Sequence, residues 1–245
     1  MSMNYLYFGN KSSEDFKVFI TDAGVYDTPQ REYEKVSVPG RNGDVLIEQD
    51  RFPNVIHEYP CIIAEDFDAN FKAFSAFMLS SRGYMRLEDS FHPDEFYIAT
   101  FKGIDNLKHS TGQKMGSFVL KFDRKPQRYL KRGEKAYSFP ASGGSQWSIQ
   151  YVKNPTQYNA YPLITVTGPG ELVIEDIGIE VSVSGSYTTT IIDCENQEAY
   201  YQGVSRNSNI TLTNGEFPYI LPNMENTIDY RGFSTIQIQP RWWTI

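Results

Sequence analysis

The chain has 245 residues and a net charge of −7. Acidic side chains outnumber basic ones in both halves, which excludes the broad cationic face that holds nucleic acid through its phosphates. With 15% aromatic residues, 18 Gly and 13 Pro, the composition suits short strands and frequent turns and argues against a helical bundle.

In chain order, residues 1–30 read as a strand (5–8), a polar turn (9–13) and a second strand (16–21). Val36 and Val38 then alternate with Lys35 and Ser37, and Val45 and Ile47 alternate with Leu46 and Glu48. Between them lies Pro39-Gly40-Arg41-Asn42-Gly43-Asp44. This predicts a β-hairpin: Gly40 and Gly43 supply positive φ, Asn42 tolerates the left-handed region, and Pro39, lacking an N–H, belongs at a strand end. Residues 59–64 add an apolar strand.

Between Asp66 and Gly83 the period changes to about 3.6, with Phe67, Phe71, Phe74 and Met78 on one face. This predicts the chain's one helix, capped by Asp66 or Asp68, with Arg82 facing its C-terminal dipole and Gly83 at C′. The Phe stripe reads as packing against a sheet. A strand (84–87), an acidic turn (88–95) holding His92, and a strand (96–101) follow. The turn lacks the register of a cation-binding loop and reads as solvated. Gly116-Ser117-Phe118-Val119-Leu120-Lys121-Phe122 is a further alternating strand. The basic residues Arg124, Lys125, Arg128, Lys131 and Arg132 read as a solvated connector at a boundary near residue 130.

From Ile149 onward, short strands alternate with Gly, Pro and Asn turns. Ile164 and Val166, then Ile177, Ile179, Val181 and Val183, then Ile236 and Ile238 each keep period two, the pattern of a β-sandwich or jelly roll. Cys61 and Cys194 read as isolated thiols. No basic start leads into an apolar segment and no apolar run reaches membrane-spanning length, so neither a signal peptide nor membrane insertion is expected.

The phrase from Arg31 to Ile47 resembles the N-terminal domain of distal tail proteins from long-tailed (siphovirus) bacteriophages and prophages. The resemblance continues through the 116–122 strand with its Pro126 exit, Asn154-Pro155, Pro162-Leu163-Ile164, Gly168-Pro169-Gly170, Ile191-Ile192-Asp193-Cys194-Glu195, Phe217-Pro218 and Pro240-Arg241-Trp242-Trp243. It implies a mainly β fold with one helix: an N-terminal β-sandwich/hairpin domain over residues 1–130 that builds a ring, then a galectin-like β-sandwich over 131–245.

It further implies a structural, non-enzymatic subunit of a hexameric ring that joins the tail tube to the baseplate hub or tail-associated lysin. DNA would pass through the lumen. The expected partners are copies of itself, the major tail/tube protein and the hub or lysin; the expected location is the virion tail tip, after assembly in the host bacterial cytoplasm. No cofactor or metal is implied. A closed ring needs a head-to-tail interface, and the resemblance points to Val38, Pro39, Gly40, Arg41, Asn42, Gly43 and Asp44 as interface candidates. Arg41 and Asp44 could pair with a neighbour or within the hairpin. Two departures stand out. Pro222-Asn223-Met224-Glu225-Asn226 stands where a Gly-Asn turn is common, and no long insertion of the kind that carries an extra carbohydrate-binding module is present.

No Gly-x-Ser-x-Gly turn, Walker loop, dinucleotide fingerprint or zincin helix appears, and the abundance of acids makes a glycosidase pair undiagnostic. The alternative class is a carbohydrate-binding module for host cell-surface glycans, with Trp147, Trp242 and Trp243 as stacking candidates. Adjacent residues of one strand point to opposite faces, so at most one of Trp242 and Trp243 is expected to be exposed.

Overall fold

A computed structural model describes residues 3–26, 28–49, 51–109, 114–142, 144–185 and 189–245, the side chains of Tyr26 and Asn214 excepted. Among the described residues the chain is mainly β with one α-helix, as expected. It divides into two compact units, Met1–Arg128 with Ile245, and Tyr129–Thr244.

The first unit runs β1 (Leu6–Phe8), β2 (Lys11–Ser12), β3 (Val18–Ile20), β4 (Val25–Tyr26), β5 (Tyr33–Val36), β6 (Val45–Glu48), β7 (Val55–Ile63), α1 (Phe67–Ser80), β8 (Met85–Asp89), β9 (Glu95–His109) and β10 (Gly116–Arg124). An antiparallel sheet has the order β2-β1-β8-β9-β10-β7-β3, with β4 added beside β7. β5 and β6 form a separate two-stranded sheet.

The centre of the large sheet is the β7–β10 ladder, which pairs without a break from Ile63–Gly116 to Val55–Arg124. Period two then puts His57, Tyr59, Cys61 and Ile63 on the same face as Phe118, Leu120 and Phe122, and all are buried. Helix α1 covers this face. Phe67, Phe74 and Met78 are buried, and the rings of Phe71 and Phe74 lie 5.3 and 6.1 Å from that of Phe118. Each side chain of this size contributes roughly 1.5–3 kcal/mol when buried, so the stripe is sufficient to hold the helix down. A Cβ on Gly116 would run into the Phe67 ring; the glycine that opens β10 makes room for the aromatic.

The ends of α1 differ from expectation. Asp66 is the N-cap residue, but it sits in the left-handed region (φ 46°) and its side chain makes no capping bond. Ser81 ends the helix in extended conformation, its N–H donating to the carbonyls of Phe77 and Met78. No basic residue lies in the last turn, and Gly83 (φ 71°) comes after the cap, where the chain turns toward β8.

Two further sequence readings are corrected by burial. Asp89 is 4% exposed and accepts from the Tyr59 hydroxyl (2.8 Å) and from the N–H groups of Phe91 and His92 (3.0 and 2.9 Å). The acidic turn is therefore pinned by a buried carboxylate at its start. Arg124 belongs to the core and not to a solvated connector: it is buried, with its guanidinium 4.4 Å from the centroid of Tyr97. Arg128 pairs with Glu95 at 3.3 Å.

β11 (Arg128–Leu130) begins at the last residue of the Met1–Arg128 stretch, and the second unit then runs β12 (Tyr137–Phe139), β13 (Ser148–Lys153), β14 (Leu163–Thr167), β15 (Gly170–Ile174), β16 (Ile179–Val183), β17 (Thr189–Asp193), β18 (Glu198–Tyr201), β19 (Val204–Ser205), β20 (Ile210–Leu212), β21 (Glu225–Arg231), β22 (Thr235–Gln239) and β23 (Trp243–Thr244). Two antiparallel sheets, β12-β22-β14-β17-β18-β19 and β13-β21-β15-β16-β20, share one core. Ile164, Val166, Ile192, Ile236 and Ile238 come from the first, and Val152, Leu172, Ile174, Val181, Ile228 and Tyr230 from the second. This is a β-sandwich.

Its loops are held by buried side-chain amides. Asn154 Oδ1 accepts from the N–H and hydroxyl of Thr156, and Asn154 Nδ2 donates to the carbonyls of Tyr158 and Ile220. In the departing turn, Asn223 takes the left-handed conformation (φ 56°) that a glycine would supply. The two ends of the unit close on each other: Leu130 N–H donates to Trp242 O, and Arg241 N–H to Gly133 O. Arg241 also grips Asp193 through two bonds of 2.6 and 3.0 Å.

His57 carries a pH dependence. Its ring is fully buried, stacked on Tyr59 at 4.1 Å, with Nε2 3.2 Å from the Ala23 carbonyl oxygen. Burial, then the positive charge of Arg124, push its pKa down to about 4 from 6.5. Between these values the unfolded chain binds a proton that the folded chain does not, so stability falls as pH drops through the window. Urea unfolding should show a loss on the order of 2–3 kcal/mol from this group between about pH 7 and about pH 4.5. His57→Phe should flatten the profile by that amount, and an unchanged pH slope in the variant would count against this assignment.

Candidate assembly surface

The hairpin pairs Tyr33 with Glu48, Glu34 with Ile47, Lys35 with Leu46 and Val36 with Val45. Directly opposed residues share a face, so one side carries Glu34, Val36, Val45 and Ile47, and the other Tyr33, Lys35, Leu46 and Glu48. The alternation read from the sequence is thus real, but the face it defines is only partly covered: Val36 and Val45 are half-buried, whereas Ile47 is 46% exposed, and Leu46 on the other face is 56% exposed. A two-stranded ribbon without a third strand or a packed helix is marginal in water.

Its base is well secured. Glu32 N–H donates to Arg51 O, Gln49 N–H to Glu32 O, and the side chains of Arg51 and Glu32 pair at 2.5 Å. The tip has its own logic. Arg41 N–H donates to Val38 O at 3.1 Å, with Pro39 and Gly40 (φ 80°) between them, the arrangement of a type II turn. Pro39 therefore occupies the first corner of a turn and does not simply end a strand. Gly43 also has positive φ (82°), whereas Asn42 does not. A Cβ on Gly40 or Gly43 would meet nothing within 4 Å, so these glycines serve backbone conformation and not space. Val38, Pro39, Gly40, Arg41, Asn42, Gly43 and Asp44 are all exposed. Among the described residues neither Arg41 nor Asp44 joins an ion pair.

The residues singled out from the sequence are those of the tip, with the flanking strands beside them; on those strands Tyr33, Leu46 and Ile47 carry most of the ribbon's exposed apolar surface.

The three tryptophans separate. Trp242 is 2% exposed and packed in the sandwich core, which removes it as a stacking platform. Trp243 is half-buried, stacked on Tyr158 at 4.4 Å, and its Nε1–H donates to Asn159 O. Trp147 is 42% exposed, with the Arg231 guanidinium 4.5 Å from its ring centroid. Among the described residues no group of three His, Cys, Asp or Glu is placed to hold a metal ion. Cys61 and Cys194 are free and buried, and burial pushes both thiols up.

Solved phage structures align with nearly the whole chain. The SPP1 Dit (gp 19.1) protein, described as a paradigm of the hub adsorption apparatus in phages infecting Gram-positive bacteria, aligns with a TM-score of 0.73 at 14% identity, covering 100% of both chains. The phage P2 baseplate in its activated conformation aligns with a TM-score of 0.52 at 12% identity, covering 96% of this chain and 99% of that one with Ca, and 95% and 98% with Sr. At these identities the likeness is one of fold: the chain has a phage distal tail protein fold. No protein-family model and no curated protein sequence matches it.

Because the ribbon pairs only with itself, it should open independently of the sheet. Hydrogen exchange on the isolated chain should be faster in residues 33–48 than in β7 and β10. Gly40→Ala, strained by about 1–2 kcal/mol through φ alone, should speed exchange there and leave the main melting transition within about 2 °C. A comparable drop in the whole unit's stability would show that the ribbon is coupled to the core.

Proposed function

We propose that this chain is a structural distal tail protein of a long-tailed phage, the subunit of a hexameric ring that joins the tail tube to the baseplate hub or tail-associated lysin. The observation that carries the reading is the fold likeness to the SPP1 Dit protein over the full length of both chains. The uncovered hairpin supports it, since a ring closes only when each subunit offers two different complementary surfaces. In this reading the first unit builds the ring, and the ribbon with its tip residues Val38 to Asp44 reaches a neighbour. The second unit projects from the ring.

The work is done by shape, without bond-breaking chemistry. DNA passes through the lumen without specific recognition, and a net charge of −7 keeps a polyanion from sticking. Each neighbour contact should bury on the order of 800 Å² per partner if the ring is stable alone.

Negative-stain imaging and light scattering of the purified chain should show six-fold rings. Ile47→Asp sets a carboxylate opposite Glu34 and should convert rings to subunits while shifting the melting temperature by no more than about 2 °C, because the side chain is exposed. In assembled particles, cryo-electron microscopy should find the chain at the junction below the tail tube. Its absence from that junction would sink the proposal even if rings form in isolation.

A further inference from the structure

One surface of the second unit is not used by the ring reading. Among the described residues β13 is the edge strand of its sheet, paired with β21. Trp147, just before it, and Ile149 and Tyr151 within it point to the outer face, 42%, 51% and 58% exposed. Alternate residues over this stretch span on the order of 13 Å, longer than one sugar ring. The neighbouring row on β21 is charged. Asp229 lies opposite Ile149, and Arg231 covers one face of the Trp147 ring while its Nε–H donates to Glu171 at 2.6 Å.

We infer that this face binds a glycan chain of neutral pyranose units. The apolar row is one strand wide and borders directly on a guanidinium–carboxylate pair and a further carboxylate. An apolar protein surface laid here would strip water from those charges and return no hydrogen bonds. A pyranose presents the matching pattern at the same scale: a face of C–H groups for Trp147 and Tyr151, and a rim of hydroxyls that donate to Glu171 and accept from Arg231. Arg231 holds the indole in place, so little side-chain freedom is lost on binding. Charge narrows the ligand. Among these side chains the carboxylates outnumber the guanidinium, and the unit itself is acidic, so a phosphate-bearing polymer is disfavoured. The inference holds whether or not the ring forms.

The test uses the full chain, titrated by calorimetry and tryptophan fluorescence with chitohexaose, dextran and laminarin, and with deacylated poly(glycerol phosphate) as the anionic counterpart. Saturable binding to at least one neutral glycan is expected, weakened at least tenfold by Trp147→Ala and by Tyr151→Ala with melting temperatures unchanged. Ile47→Asp should bind as the parent does, which separates this surface from ring assembly. Three results would overturn the inference: no saturable binding to any neutral glycan, binding indifferent to both substitutions, or preference for poly(glycerol phosphate). A concentration-dependent dimer abolished by Tyr151→Ala would do so as well, by assigning the strand edge to a contact between copies.

Discussion

The nine-pair ladder between β7 and β10 decides what the rest of the first unit can do. With Tyr59 opposite Leu120 and Cys61 opposite Phe118, one face of the sheet becomes continuous and apolar, and α1 has a surface to cover. A slip of one residue would turn every one of those side chains to the other face. The register is locked from outside the ladder as well. Phe67 needs the space left by Gly116, so the start of the helix and the start of β10 can meet in only one way.

The same ladder places polar groups where water does not reach. His57, Tyr59, Asp89, Tyr97 and Arg124 gather at one end of the buried face. Charges are tolerated in such a place only when hydrogen bonds and opposite charge replace the lost water. Asp89 meets that condition with a phenol and two backbone N–H groups. His57 meets it by staying neutral.

The hairpin stands outside this economy. It has strand-forming residues, a well-formed turn and a secured base, yet among the described residues no further strand pairs with it. In a monomer that is a liability, because an open ribbon invites pairing with other chains. In the proposed ring the same openness offers a neighbouring subunit its contact. The outer face of β13 is exposed in a different way, with aromatic side chains interleaved beside charged ones, and its chemistry points to a hydrated ligand.

Much of the architecture was legible before any coordinates. The period-two runs through Phe118 to Phe122, Ile164 to Val166 and Ile236 to Ile238, and the period-3.6 stripe from Phe67 to Met78, identify strands and helix because side-chain periodicity is a local property of the backbone. Glycines 40 and 43 mark positive φ for the same reason. What the sequence could not settle was which faces are covered. Arg124 looked like a solvated connector and is in the core; the hairpin strand alternates Val45 and Ile47 with Leu46 and Glu48, yet Leu46 and Ile47 lie open while Val45 is half-buried. Burial depends on what the distant chain brings to each face, so the sequence by itself determined the elements and their turns, and only the tertiary structure decided which surfaces are left for partners.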